Sequence, residues 1–314
     1  MALSHDPLWP RAGAWPAPDA LAAGERAALA VLGVPAWRTS LSPTGAHATP
    51  LAVREALQRY SAALVPDRRG SARELDLAES APLAVVDAGD IEEPDGPEGE
   101  ARTRAEVARL SELAEVVLAI GGDNSVTVAT ALGALGEGLD RAGLVTLDAH
   151  YDLRDGVSNG SPVRRLVEAG LDPARIVQIG IADFANSAEY ARRARELGIT
   201  VIHRDELHGR APAEVMVEAL AIAGAAGGPV HLDLDVDVCD RSVVPGCPAS
   251  MPGGLAAWEL RAFARAAASD PRVVSVDLAE VDATADAPDG RTVRLAALCV
   301  LEVLAGVASR PGRG

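Results

Sequence analysis

Eight short runs rich in Val, Leu, Ile and Ala recur along this chain, and stretches with helical spacing fall between most of them. The runs are AALAVLGVP ending at Pro35, LAVVDAGDI around Asp87, EVVLAIGGD around Ile120, GLVTLDA, RIVQIGI around Ile179, TVIHRD around Ile202, PVHLDLDV around Leu234 and RVVSVDLAE around Val276. Strands that are apolar on both sides of the pleat need cover on both sides, and helices on the two faces of a parallel sheet supply it. The expected architecture is a three-layer α/β/α fold around a mostly parallel sheet of about eight strands. Helical periodicity runs over 50–64 behind Pro50, over 101–114, and over Ala185–Leu197, Ala213–Ala223 and Leu255–Ala268. The acidic stretch EEPDGPEGE is expected to carry little structure. Residues 1–24, rich in Pro, Ala and Trp, read as an N-terminal arm whose Trp9 and Trp15 can dock on the body. No later break in the rhythm marks a boundary, so 25–314 is expected to be one domain.

Ligands of open parallel sheets sit beyond the carboxyl ends of the strands, and the polar clusters of this chain fall there. GGDN follows the third run, DAHYD the fourth, DLDVD closes the seventh and Glu280 the eighth. On an extended backbone Asp148, His150 and Asp152 would project to one side. Two carboxylates and an imidazole converging in this way suit a divalent cation, and the oxygen bias favours Mn²⁺ over a zinc-type site. Asp233, Asp235 and Asp237 would share one side of the seventh run. Two of them with Asp148 and Asp152 make four carboxylates, which repel one another unless protonated or neutralised. Two divalent cations roughly 3.5–4 Å apart would neutralise four carboxylates and lower the pKa of a water between them. The indicated cofactor is two Mn²⁺, and the indicated chemistry is metal-assisted hydrolysis of an electrophilic carbon.

Charge narrows the class further. A net charge of -16, with no Lys anywhere in the chain, argues against nucleic acid and against anionic membrane surfaces as partners. The N-terminal MALSHDPLWPRAGAWPAPD lacks a basic segment followed by an apolar one, and no apolar run is long enough for a bilayer. Cys239, Cys247 and Cys299 form no CxxC pair and no even set, so a reducing, cytoplasmic setting is expected, with the thiols as small buried side chains. A small molecule is the expected partner.

The motifs GGDNS, DAHYD, the DxD pattern ahead of a PG turn, and EVD after the last run, in this order, resemble the arginase–agmatinase (ureohydrolase) superfamily. The resemblance extends from about Val31, where VLGVP and TGAHATPLAVREAL are similar to the family's opening, to Asp282. Within the superfamily, DAHYDLRD, SNGSPVR and GIADFANSAEY are most similar to formimidoylglutamase-like members. The resemblance implies an arginase-like fold and a trimer or hexamer. It implies a first metal held by the residue at position 124 with Asp148, Asp152 and the first Asp of DxD. A second metal would be held by Asp148, His150 and both Asp residues of DxD. The family's last ligand stands eight residues before the Pro of the turn; counting back from Pro245 selects Asp235 and Asp237. The pair Asp233 and Asp235 is the alternative, and otherwise Asp233 lies behind the metals or in the substrate pocket. Glu280 falls at the position that holds the cationic carbon–nitrogen group of the substrate, and Asp152 is the candidate to orient the attacking water and relay its proton.

Two departures from the family pattern matter. Asn124 stands where a metal-binding His is usual, which exchanges a nitrogen donor for a weaker amide oxygen and predicts looser binding at the first metal. Asn159 stands where arginases have a proton-shuttling His, and is a candidate for catalysis and substrate binding. Arg154, two residues beyond Asp152, would pair with a substrate carboxylate far more readily than with an amine, and this tilts the expected substrate towards N-formimino-L-glutamate, hydrolysed to L-glutamate and formamide in histidine breakdown. Arg164 and Arg165 are further candidates, and Asp183 could bind a substrate amino group or cap its loop. The alternatives are a guanidino-acid or agmatine ureohydrolase releasing urea, and a ligand-binding relative without turnover. The histidines other than His150 show no partner pattern, and most of them read as loop or strand-end residues.

Overall fold

A computed structural model describes residues 6–62 and 83–311. Each apolar run becomes a strand: β1 (Ala27–Val34), β2 (Val85–Asp90), β3 (Ala114–Gly121), β4 (Gly143–Leu147), β5 (Ile176–Ile181), β6 (Thr200–His203), β7 (Val230–Asp235) and β8 (Val273–Ala279). They form one sheet in the order β2-β1-β3-β8-β7-β4-β5-β6, and every neighbouring pair is parallel. The four strands at the middle, β3, β8, β7 and β4, are the four that end in the polar clusters. All carboxyl ends of a parallel sheet lie on one edge, so this order alone gathers residues from Asn124 to Glu280 into one place.

Helices α1 (Thr49–Leu57), α6 (Pro212–Ala223), α7 (Ala257–Ala268) and α8 (Arg291–Ala308) adjoin one another and cover one face. With Val116, Val145, Val177, Leu232 and Val276 from the strands they make a continuous apolar core. The opposite face carries α2 (Gly96–Leu113), α3 (Val126–Leu135) and α4 (Pro162–Glu168), with α5 (Ala188–Leu197) beyond them. Its apolar packing is split in two. One cluster holds Val107, Leu110 and Val117 towards β1, the other Leu144, Leu166 and Ile176 towards β5. Between them lies a buried polar seam of Ser275 and Asp277 on β8, His231 and Asp233 on β7, Thr146 on β4 and Gln178 on β5. Register places Asp277 beside Asp233, Asp233 beside Thr146, and Thr146 beside Gln178. Strand alternation carries this seam upward through Asp235 to the sheet's carboxyl edge.

Several boundaries differ from the sequence expectation. Helix α2 begins at Gly96, inside the acidic stretch, because Pro97 opens the first turn at a position where its missing N–H costs nothing. Helix α1 ends at Leu57, earlier than the 50–64 pattern, whose last residues lie outside the described ones. Helices α3, α4 and α8 had no expectation of their own. In the N-terminal segment Trp15 packs on the main core, whereas Trp9 is 52% exposed and does not dock. Among the described residues no helix is long and apolar enough to cross a membrane.

Candidate metal centre

The strand ends converge through turns and not through extended backbone. Strand β4 stops at Leu147, and Asp148 then accepts the backbone N–H of His150 at 2.6 Å, which curls the chain. Asp152 sits in the left-handed region with φ 54°. On the neighbouring strand, Asp235 ends β7 and accepts the backbone N–H of Asp237 at 2.8 Å, opening a short 3-10 turn over Val236–Val238. That turn swings Asp237 under β4, where its carboxylate accepts the Ala149 N–H at 2.9 Å and faces His150 Nδ1 at 2.7 Å. Asp148 Oδ1 lies 3.4 Å from the same ring nitrogen. Ligand atoms of Asp148, His150 and Asp237 lie within 4.8 Å of one another, a group able to hold a metal ion. Asp152 and Asp235 are buried beside them but stand outside that tight group.

The electrostatics of this cluster follow from packing acids together without water. Burial, reinforced by the charge of Asp237, raises Asp148 to about 6. Burial and Asp148 raise Asp152 well above the carboxylate range, and burial and Asp237 do the same to Asp235. Asp237 alone is lowered: burial pushes it up, but the charge and hydrogen bond of His150 outweigh that. Its charge in turn pushes His150 up to about 12. Buried Asp148 Oδ2 has no hydrogen-bond partner, and neither oxygen of Asp233 has one. A cluster that holds protons it would ordinarily release, with an orphaned carboxylate oxygen inside it, fits the ligand set expected for divalent cations. Asp233 belongs to the polar seam. It is raised by burial first and by Asp277 next, and it stands behind Asp235.

From β3 and β8 come the groups that face the cluster from the other side. Gly122 lies so close to the 36–38 loop that a Cβ on it would be 1.7 Å from the Ala36 carbonyl oxygen. Its own carbonyl accepts the Glu280 N–H at 2.9 Å, joining the ends of β3 and β8. Glu280 adopts φ 62°. Its Oε1 accepts both the Asn124 backbone N–H and Asn159 Nδ2, each at 2.8 Å, which leaves Oε2 for the cavity. Burial raises Glu280 to about 7, against those two donors. The Asn159 oxygen accepts the Leu41 N–H at 3.1 Å. Both ends of its amide are thereby engaged, which holds Asn159 against Glu280, and an amide carries no titratable proton. Asn124 Nδ2 donates to Asp152 Oδ2 at 2.6 Å while its Oδ1 accepts from Thr127 Oγ1 at 2.8 Å. In this arrangement Asn124 turns an N–H, not the oxygen expected from its position, towards the acids.

A cavity of about 510 Å³ opens above the centre; His150, Asp152, Asp235, Asp237 and Glu280 line its depth, and Arg154 and Asn159 line it as well. Arg154 forms no ion pair among the described residues. Its sequence neighbour Asp155 pairs with Arg193 instead. Arg164 and Arg165 do not reach the cavity: the first ties down its own loop through the Arg154 carbonyl at 2.6 Å, and the second pairs with Glu100 at 2.6 Å. Asp183 is exposed and outside the cavity lining. Tyr190, Arg193 and Glu189 of α5 line the cavity and were not foreseen. Their signal is hidden, since AEYARRAREL reads as a solvated helix. The partners of His231 were also not foreseen. It is fully buried in β7, 2.7 Å from Ser275 Oγ and 2.7 Å from Asp277 Oδ2. The three cysteines are buried and outside the cavity lining, with thiols raised by burial.

Comparison with known proteins adds a second line of observation. The arginase family profile matches residues 27–306. The formimidoylglutamase of Halalkalibacterium halodurans is 32% identical over 285 residues, covering 88% of this chain and 86% of that one. The formimidoylglutamase of Bacillus subtilis is 31% identical over 292 residues, covering 90% and 88%. The crystal structure of formimidoylglutamase from Bacillus subtilis superposes with a TM-score of 0.86 at 27% identity, covering 99% of this chain and 96% of that one.

Proposed function

The chain belongs to the arginase family, and from that premise we propose that it hydrolyses N-formimino-L-glutamate to L-glutamate and formamide. The observation that carries this reading is the polarity of the cavity, with acids in its depth and an Arg154 guanidinium that no carboxylate of the described chain neutralises. Such a cavity suits a substrate with a cationic head and an anionic tail. Likeness to two formimidoylglutamases over most of the chain supports the same substrate.

Asp148, His150 and Asp237, with Asp152 and Asp235, are the residues that would hold two Mn²⁺, with Asn124 as a weak ligand at the first. When bound, the ions would offset the clustered negative charge and make a water nucleophilic at neutral pH. Glu280 Oε2 accepts N–H groups of the formimino cation in charge-assisted hydrogen bonds and so orients its carbon. Asn159 keeps Glu280 in that pose. Water oxygen bonds to the formimino carbon, Asp152 takes the proton released and passes it to the glutamate nitrogen, and the carbon–nitrogen bond to that nitrogen breaks. One water is consumed, and formamide and L-glutamate are the products. Arg154 pairs with a substrate carboxylate as a planar fork. The same reading implies a cytoplasmic homo-oligomer, a trimer or hexamer.

A substrate panel of N-formimino-L-glutamate, 4-guanidinobutyrate and agmatine with added Mn²⁺, assayed for formamide and for urea, tests the proposal. Formamide from the first and no urea from the others is expected. Urea as the main product would replace the reading with a ureohydrolase, and no turnover of any compound would replace it with a binding protein.

A further inference from the structure

We propose that Arg193 receives the substrate carboxylate farther from the reacting carbon, and that Asp155 occupies this guanidinium until the substrate displaces it. The inference rests on the formimino-glutamate reading of the cavity and adds the second half of its specificity. A substrate with two carboxylates needs two cationic partners, and Arg154 supplies one.

Two guanidinium groups meet at the ring of Tyr190, Arg154 with its central carbon 5.9 Å from the ring centroid and Arg193 at 5.5 Å. All three side chains line the cavity. Arg154 lies along Gly160, where an added Cβ would stand 2.7 Å from its Cδ, next to the Asn159 that touches Glu280. It is therefore the cation on the Asn159–Glu280 side of the ring, although it is the more exposed residue of the two. Arg193 reaches from α5 to the Leu153 carbonyl at 3.1 Å and holds both oxygens of Asp155, at 2.8 and 3.2 Å. This forked contact is the one a substrate carboxylate would make.

Asp155 is suited to yield. Its side chain is 78% exposed, against 33% for Arg193, and an exposed ion pair is weak. Exchanging one carboxylate for another keeps the Arg193 guanidinium paired and releases the exposed Asp155 carboxylate to water. The Leu153 carbonyl still holds the guanidinium in place while the exchange occurs. The substrate, anchored at its head by Glu280 and beside it by Arg154, gains the advantage of being tethered that Asp155 otherwise has through the backbone.

The test uses the Mn²⁺-loaded protein with N-formimino-L-glutamate and N-formimino-L-norvaline, in which a methyl group replaces the distal carboxylate. Arg193→Gln should raise KM for the glutamate derivative about ten- to a hundredfold, keep kcat within about twofold, and leave KM for the norvaline derivative unmoved. Asp155→Asn should lower KM for the glutamate derivative by about two- to fivefold. Equal shifts with both substrates, no shift in Arg193→Gln, or a higher KM in Asp155→Asn would each overturn the assignment. A wild-type protein that turns over neither compound would reject the hydrolase reading instead. Calorimetric titration with L-glutamate and L-norvaline would then still decide Arg193, since equal affinities for the two would overturn its role.

Discussion

A buried amide beside a carboxylate can donate to it or share a cation with it, and the two uses turn opposite ends of the amide inward. Asn124 shows the first, with Nδ2 on Asp152 and Oδ1 on the Thr127 hydroxyl. The second use requires the amide to turn over, and the surroundings permit it. A hydroxyl both donates and accepts, and Asp277 Oδ1, 3.4 Å from Thr127 Oγ1, can take the hydroxyl proton once Nδ2 faces Thr127. Neither pose leaves a buried group orphaned. In both, Asn124 orders Asp152, so Asn124→Ala should weaken Mn²⁺ binding by about ten- to a hundredfold, the usual effect of losing a partner that orients a ligand. Asn124→His should tighten it, because a ring nitrogen is the stronger donor. Titration of chelator-stripped protein with Mn²⁺ measures both, and an unchanged isotherm for Asn124→Ala would remove the residue from the centre.

The elements deliver these residues through the turns at their ends, and the turn from β3 to α3 is the tightest. A methyl group on Gly122 would collide with backbone, not with a side chain that can move away. Gly122→Ala should therefore push the turn off the Ala36 loop, cost about 1–3 kcal/mol of stability, and displace Asn124 and Glu280 together. Thermal unfolding and Mn²⁺ titration on the one variant check both halves; a stable variant with normal metal binding would show that the loop yields. The strands and their edge could be read from sequence because an apolar run that stops at an acid marks both a strand and its functional end. Asp148 and His150 were singled out in this way and Asp237 through the family resemblance, although the extended geometry assumed for them differs from the structure: side-chain oxygens of Asp148 and Asp235 capture nearby backbone N–H groups and curl the chain. Helix α3 escaped because VTVATALGAL is buried nearly all round, which erases the polar side that periodicity needs. Arg193 and the His231–Asp277 pair escaped for another reason. Their partners lie 38 and 46 residues away, and only the strand order brings them together.

At the scale of the molecule, a sheet whose centre is polar on one face depends on what balances that polarity. Without metal, the folded chain keeps protons that the unfolded chain releases. Ordinary Asp and Glu side chains ionise near pH ~4, but Asp148 holds its proton to about 6 and Glu280 to about 7. Asp152, Asp233 and Asp235 are raised too. Stability of the metal-free protein therefore falls as pH rises from ~4 through that window. His150 continues the trend, since above pH ~6.5 the unfolded imidazole is neutral while the folded one, held up to about 12 by Asp237, stays charged. Asp237 has the opposite sign, but its contribution is lost only below the ordinary carboxylate range, outside this window. Each extra proton held by the folded state costs about 1.4 kcal/mol per pH unit. Bound Mn²⁺ would take the place of those protons, so the difference in Tm between Mn²⁺-loaded and chelated protein should widen steadily from pH 5 to pH 8, by roughly 2–4 °C for each kcal/mol. The same exchange predicts proton release on metal binding, readable as a dependence of the calorimetric heat on the ionisation enthalpy of the buffer. A chelated protein that becomes more stable between pH 5.5 and pH 8 would mean that the clustered acids are already balanced by something other than a cation.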